Sequence, residues 1–597
     1  MPTLTVEDHK ALPDLSPEEA RAPSNLPEEP SSYRQEPPSL PEDPSIKASS
    51  PRRRIVLSLA AIMLTVLAIF ILRHPLFTND GPVHVAFSHI IATHNQPGQP
   101  LQSEAYMLDL RLKPNLSVYL LMAALMRVFS PGATESIIQI LCIACPFFAG
   151  YFALHSINPK NVWLSIFFVP LALNQTLFLG LYNHCLAVAA FFLVIGTYFW
   201  MCKAPSYRRA LVLAATIVLT FLCHASGLVM ALTGLATMSA TRAVLSILRD
   251  RRIVPALKAQ RYTVLALVTP FPLVAAFLAG GGTSLTMYGI NFSRRLLDFS
   301  KLHLLYVNYW QIDRFSAVAI SGLLLTSFFV VAIRTIENRS DMPQARRDQL
   351  IGVLVAALVA TAVMLAFPDV MGGGWTHYRR FVAYPYIWIL FALAFEDFSA
   401  RAFAAFATVG ATTAVMLISS TIYREGTIRE QIAPLAQADA LIGSHCTVAA
   451  IPLEPNLLDE HQNFKWLEYQ PFYQSASRLE LHDDRVVLFN YLARLAPYPV
   501  HFRPNIEPQA LLYRWKPMQL DNQVQKVDVQ GFEARSAMRV DYILLWGRPE
   551  RSLPPVRAQV LNALTQFDQI YESSGGVVKL YERRGVHNAL CTANPHN

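Results

Sequence analysis

Long apolar runs separated by short polar or basic stretches fill the chain from residue 55 to residue 422. About 20 apolar residues in a row give a helix long enough to cross a bilayer. Spans are expected near 55–72, 115–129, 135–155, 183–201, 209–223, 225–246, 262–279, 316–334, 350–367, 381–397 and 402–422, eleven in all. The stretch 162–180 carries Pro170 and Asn174 in its middle. It predicts two half-helices dipping in from one side, because broken backbone at membrane depth has to be buried in protein. After Tyr423 the apolar runs shorten. Strands are expected at 447–453, 485–492 and 541–546, a helix at 555–567, and a closing hairpin at 570–581 that turns at Gly575-Gly576. The pattern predicts a mainly α fold. A polytopic helical membrane domain (51–422, about 11 spans) precedes a small α/β domain (423–597).

Composition agrees: 15% of the 597 residues are charged, against about a quarter in soluble domains. Residues 1–50 are rich in Pro, Glu and Ser and hold ten acids against four bases, so this tail is −6 and the remainder +14. Such a segment buries too little apolar surface to offset its entropy and is expected to be disordered. It is too long and acidic for a signal peptide, and no small-residue cleavage site follows the first apolar run, which reads as an uncleaved anchor. The basic excess sits in loops, where it sets orientation. Arg52, Arg53 and Arg54 place the N-terminus in the cytoplasm, and the basic loops 203–209, 249–261 and 334–347 join it there. Loops 73–115, 280–315 and 368–380 and the C-terminal domain then face outward, periplasmic if the membrane is a bacterial inner membrane. No interleaved basic and aromatic patch suggests a nucleic-acid surface. Cys142 and Cys145 read as packing within an apolar span. Cys446 and Cys591 are placed to pair in an oxidising space.

The first outward loop holds Asn79-Asp80-Gly81-Pro82-Val83-His84. Pro82 suits a first helical turn, so Asp80 is expected to cap a short helix over 83–93, with His84 near it. Val83, Phe87, Ile90 and Ile91 share one side, which suits a membrane interface. A second acid, Asp109, precedes Arg111 and Lys113. The last outward loop runs Gly372-Gly373-Gly374-Trp375-Thr376-His377-Tyr378-Arg379-Arg380. Asn183 and His184 open one span, and His224 and Ser226 lie at the break between two others. A carboxylate near a hydroxyl is the usual general base, and the arginine fork matches phosphate. Taken singly, each signal has a blander reading. Asp80 reads as a helix cap, Arg379 and Arg380 as an interface anchor, His224 as the partner of a freed carbonyl, and His482-Asp483-Asp484 as a solvated turn. Asp80 and His84 alone are too few to claim a metal site.

Together these features resemble GT-C class glycosyltransferases, polytopic enzymes that use lipid-linked sugars. The shared elements are an early acid in the first outward loop (Asp80), a broken-helix region, arginines ahead of a late span (Arg379 and Arg380 before Phe381) and a soluble C-terminal domain. Asp80-Gly81-Pro82-Val83-His84 with Pro114-Asn115-Leu116 also looks like a group of large bacterial membrane proteins. The resemblance implies sugar transfer from a polyprenyl-phosphate donor to a cell-envelope acceptor, whether glycan, lipid or protein. It makes Asp80 the base and has Arg379 or Arg380 hold the donor phosphate; His84 beside Asp80 is a further catalytic candidate, and His377, Asp109, Asn183, His184 and His224, polar groups on the outward side, are expected against substrate. The outward loops lack the DxD pair of metal-dependent members, which favours a metal-independent enzyme or a lost or different activity; no cofactor is expected, and a divalent metal stays open without being indicated. A transporter or flippase of a lipid-linked or polar substrate, and a non-catalytic envelope assembly protein, are the alternatives.

Overall fold

Eight helices among the described residues are long and apolar enough to cross a membrane: Pro51–Arg73, Pro131–Ile157, Tyr182–Lys203, Ala225–Asp250, Arg261–Ala279, Gln311–Glu337, Gln344–Ala366 and Ala400–Asp439. The chain is an integral membrane protein. The computed structural model describes residues 51–280, 291–307, 310–337, 342–369, 377–454, 470–515, 524–585 and 589–592. The acidic tail and the Gly372–Thr376 part of the last loop lie outside the described residues.

All eleven expected runs fall on helices, and eight of these are the long ones. The other three apolar runs form the shorter helices Ser117–Leu125, Tyr207–Cys223 and Ala383–Leu393. At 1.5 Å per residue the 11 residues of the last reach about 16 Å, half the hydrocarbon thickness. His224 ends the second by taking extended backbone between two helices.

The broken stretch folds as anticipated into pieces, a 3-10 helix at Pro159–Phe167 and short helices at Phe168–Ala172 and Gln175–Phe178. Asn174 sits at the break. Its Oδ1 accepts from Thr176 N at 2.7 Å and its Nδ2 donates to Leu171 O at 2.6 Å, so the groups freed there find partners. The end of this segment then carries the next loop. Phe178 O accepts from Asn79 N (3.0 Å) and Leu179 O from Asp80 N (3.1 Å). Gly180 has φ +77°, and a Cβ there would lie 2.6 Å from Gly81 N and 2.9 Å from Asp80 N. Gly180→Ala is therefore expected to destabilise by at least about 1–2 kcal/mol from the left-handed backbone alone, with the clash adding to it. Thermal unfolding of the purified variant checks this; an unchanged midpoint would refute the tight docking.

Beyond the membrane helices a five-stranded sheet has the order Val486–Val487, Thr447–Pro452, Tyr542–Trp546, Val578–Arg583, Phe567–Glu572. The first three strands are parallel and the last two close as an antiparallel hairpin. Thr447–Pro452 and Tyr542–Trp546 are buried at every residue. This explains their unbroken apolar runs, since a parallel sheet is covered on both faces. The hairpin turns at Gly576, with φ +65°. The expected strand at 485–492 is cut to two residues, because Tyr491–Arg494 turns into a 3-10 helix. Cys446 and Cys591 form a disulfide across this domain.

The two parts interlock. The 40-residue helix Ala400–Asp439 runs through the expected boundary at 422, and its Ile428, Leu435 and Ala438 join the core of the soluble domain. Strand Tyr106–Leu108 pairs with Val500–Phe502. Asp484, expected in a solvated turn, is instead buried and accepts from Leu101 N (2.8 Å) and Gln102 N (2.9 Å), clamping the first loop to the C-terminal domain. The apolar side of helix Gly81–Thr93 is likewise corrected. Val83, Phe87 and Ile90 are fully buried in the soluble domain's core rather than lying at a membrane interface. Once a domain covers the loop, burying these side chains against protein replaces any gain from lipid.

Candidate functional site

Asp80 is the N-cap residue of helix Gly81–Thr93, and its carbonyl accepts from His84 N at 3.1 Å. Its side chain makes no capping bond. The carboxylate instead accepts from Asn79 Nδ2 at 2.6 Å and from Tyr491 Oη at 3.4 Å to each oxygen. With 5% of its surface exposed, Asp80 is desolvated, and burial pushes its pKa up to about 7 against the opposing pull of Asn79, Tyr491 and the Arg380 charge.

His84 lies one turn on. Its Nδ1 is 2.5 Å from Tyr119 Oη, and its ring sits among those of Tyr119, Tyr182 and Tyr498 at centroid distances of 5.2, 5.4 and 6.5 Å. Burial lowers its pKa to about 4, so the imidazole is neutral.

Arg380 closes the last loop in the 3-10 turn His377–Phe381. Its Nη1 is 2.9 Å from His224 Nε2, and its Nε has no hydrogen-bond partner. Ser226 N donates to His224 Nδ1 at 3.0 Å, while Ser226 Oγ lies 2.7 Å from that atom and 2.9 Å from His184 Nδ1. Arg380, His224, Ser226 and His184 thus form one polar chain, and the Arg380 charge also reaches Asp80, Tyr491 and Tyr498. Arg379 Nη1 donates to Gln175 Oε1 at 3.2 Å, on the broken-helix segment. His377 is tied through its backbone N to Asp369 O (3.1 Å) and contributes charge at His224.

Asn183 and Asp109 do structural work. Asn183 Oδ1 accepts from Ser117 Oγ (3.2 Å) and Val118 N (3.1 Å) at the start of a neighbouring helix. Asp109 is ion-paired to Arg111 (2.8 Å) and Lys113 (3.0 Å), which hold its carboxyl well below the usual range. Lys113 in turn donates to Tyr498 O at 2.6 Å, so this loop braces the tyrosine beside His84.

Three aromatic residues near Asp80 escaped the sequence reading: Tyr473, Tyr491 and Tyr498, all from the soluble domain. Tyr491 stands 411 positions from the acid it contacts. No local motif marks it; the one available signal is the density of tyrosine in 473–498.

Among the described residues, Cys446, Asp541 and Cys591 are the one cluster of three metal-ligand types. Its two sulfurs are bonded to each other, and its acid accepts from Thr447 N at 2.8 Å.

No family model matches the chain, and no curated protein matches it. Among solved structures it is similar to the apo-form oligosaccharyltransferase of Archaeoglobus fulgidus, at 12% identity and a TM-score of 0.39, over 90% of this chain and 76% of that one.

Proposed function

We propose that this chain is a membrane glycosyltransferase of GT-C type. It moves a sugar from a polyprenyl-phosphate donor to a cell-envelope acceptor at the outer face of a bacterial inner membrane. The observation that carries this reading is Asp80, a buried carboxylate spared from capping, poised to titrate near pH 7, and under the charge of Arg380. A general base works best when its pKa lies close to the operating pH.

In the proposed reaction an acceptor hydroxyl gives its proton to Asp80 as its oxygen bonds to the anomeric carbon. The bond from that carbon to the phosphate oxygen breaks, and its electron pair leaves on the lipid phosphate. Arg380 and Arg379 stabilise that charge, the role for which a guanidinium fork is suited. His84, neutral and anchored on Tyr119, adds a second proton acceptor within one helical turn. The groups meet where the helices join the soluble domain, whereas a transporter keeps its ionisable groups at mid-membrane.

The test uses full-length protein in nanodiscs with polyprenyl-phosphate hexoses and envelope saccharides, following release of polyprenyl phosphate and growth of the acceptor. Acceptor-dependent release that disappears in Asp80→Asn is the expected result. Release that persists undiminished in that variant would remove the base and the reading with it.

A further inference from the structure

Three polar side chains of the soluble domain are buried without a hydrogen-bond partner. Gln474 and Asn490 are fully buried, and both ends of each carboxamide lack a hydrogen-bond partner. The Ser477 hydroxyl is equally buried and unpartnered. An unmet buried donor or acceptor carries its full desolvation cost, and native proteins keep few of them.

Two of them are chain neighbours of residues at the candidate site. Gln474 follows Tyr473, and Asn490 lies between Phe489 and Tyr491. The Tyr473 ring is 5.2 Å from Phe489 and 6.0 Å from Tyr491, and it feels the charge of Asp80. Tyr491 is the residue whose hydroxyl reaches Asp80. Ser477 N donates to Gln474 O at 3.0 Å, in the 3-10 helix Ser475–Leu481 that packs on helix Gly81–Thr93 behind Asp80.

The chemistry names the ligand class. A carboxamide sets a donor and an acceptor side by side, which matches a pair of neighbouring hydroxyls, each able to give and take a hydrogen bond. The three groups carry no charge, which favours a neutral polar ligand over a phosphate or carboxylate. The arginines assigned to the donor phosphate belong to the helical part, and these three groups belong to the soluble domain. Resting on the glycosyltransferase reading, we propose that Gln474, Ser477 and Asn490 bind hydroxyls of a saccharide acceptor and hold its reacting oxygen toward Asp80.

The test titrates full-length protein in nanodiscs with a panel of neutral oligosaccharides and with an asparagine-containing peptide, reading binding as a shift in thermal midpoint. Gln474→Met and Asn490→Leu are near in volume and remove the unmet groups. Their unliganded midpoints are expected to equal or exceed that of the unaltered protein. A neutral oligosaccharide should stabilise the unaltered protein and Asp80→Asn alike, and should bind each amide variant at least about tenfold more weakly. Lower unliganded midpoints in both variants would show that the amides serve the fold, and would overturn the proposal. So would undiminished saccharide binding in the variants, stabilisation by the peptide alone, or no response to any saccharide in the panel. The glycosyltransferase reading fails separately: saccharide binding that depends on the amides, combined with transfer indifferent to Asp80→Asn, rejects that reading and leaves a saccharide-binding protein.

Discussion

Asp80→Asn is expected to lower glycosyl transfer by about 10²–10⁴-fold, the usual worth of a positioned base, while making the protein more stable above neutral pH. The second half follows from burial. The folded state raises the Asp80 pKa from 3.8 to about 7, so it holds the proton more tightly than the unfolded chain does. Below pH 3.8 both states are protonated and nothing is gained or lost. Between there and about 7 the unfolded chain ionises first, and stability falls as pH rises. Above 7 the folded state carries the whole cost, at most roughly 4 kcal/mol. Asparagine cannot ionise and escapes that cost. Thermal midpoints at pH 4 and pH 8 should therefore coincide at the acid end and separate at the alkaline end, with the variant higher. In the unaltered protein, kcat/KM should climb through a limb near pH 7 as Asp80 loses its proton. A flat profile between pH 5 and 9 would mean that Asp80 is not the group whose ionisation limits the rate.

The helical architecture was legible wherever an apolar run was long, because length alone decides whether a helix can span. It overran at 115–129 and 381–397, where the helices Ser117–Leu125 and Ala383–Leu393 are shorter, whereas Tyr207–Cys223 fills its expected run. Helix ends meet tertiary partners such as Asn183 at Ser117 and the His224–Ser226 turn. The break at Asn174 was legible from Pro170 and Asn174, yet its purpose was not. The docking of Asp80 on Leu179 O joins segments a hundred residues apart, and sequence spacing says nothing of that. The same limit hid the cover over helix Gly81–Thr93. Its apolar stripe is correct, but periodicity shows only that a face is buried and never against what. Among the polar candidates, Arg380 lies against His224, which meets His184 through Ser226, and the Arg380 charge reaches Asp80. The tyrosines near Asp80 did not announce themselves, since aromatic residues in a soluble α/β domain are ordinary core until the structure faces them toward an acid.

Arg380→Met is expected to cost about 10²–10³-fold in transfer, the loss typical when one preorganised donor to a developing anion is removed. A merely structural arginine would also lower activity by loosening the fold, so the rate alone does not decide its role. The pH profile does. The Arg380 charge lowers the Asp80 pKa and offsets part of the burial that raises it. Without that charge the base holds its proton to higher pH, and the limb in kcat/KM should move to the alkaline side. Arg380→Lys separates charge from shape. An ammonium keeps the positive charge beside Asp80 and loses the planar fork that matches phosphate. The lysine variant should thus keep the limb near its original pH while recovering only part of the rate. A limb that stays put in Arg380→Met would disconnect the arginine from Asp80. A lysine variant with full activity would show that charge alone serves the donor phosphate and that fork geometry has no part in it.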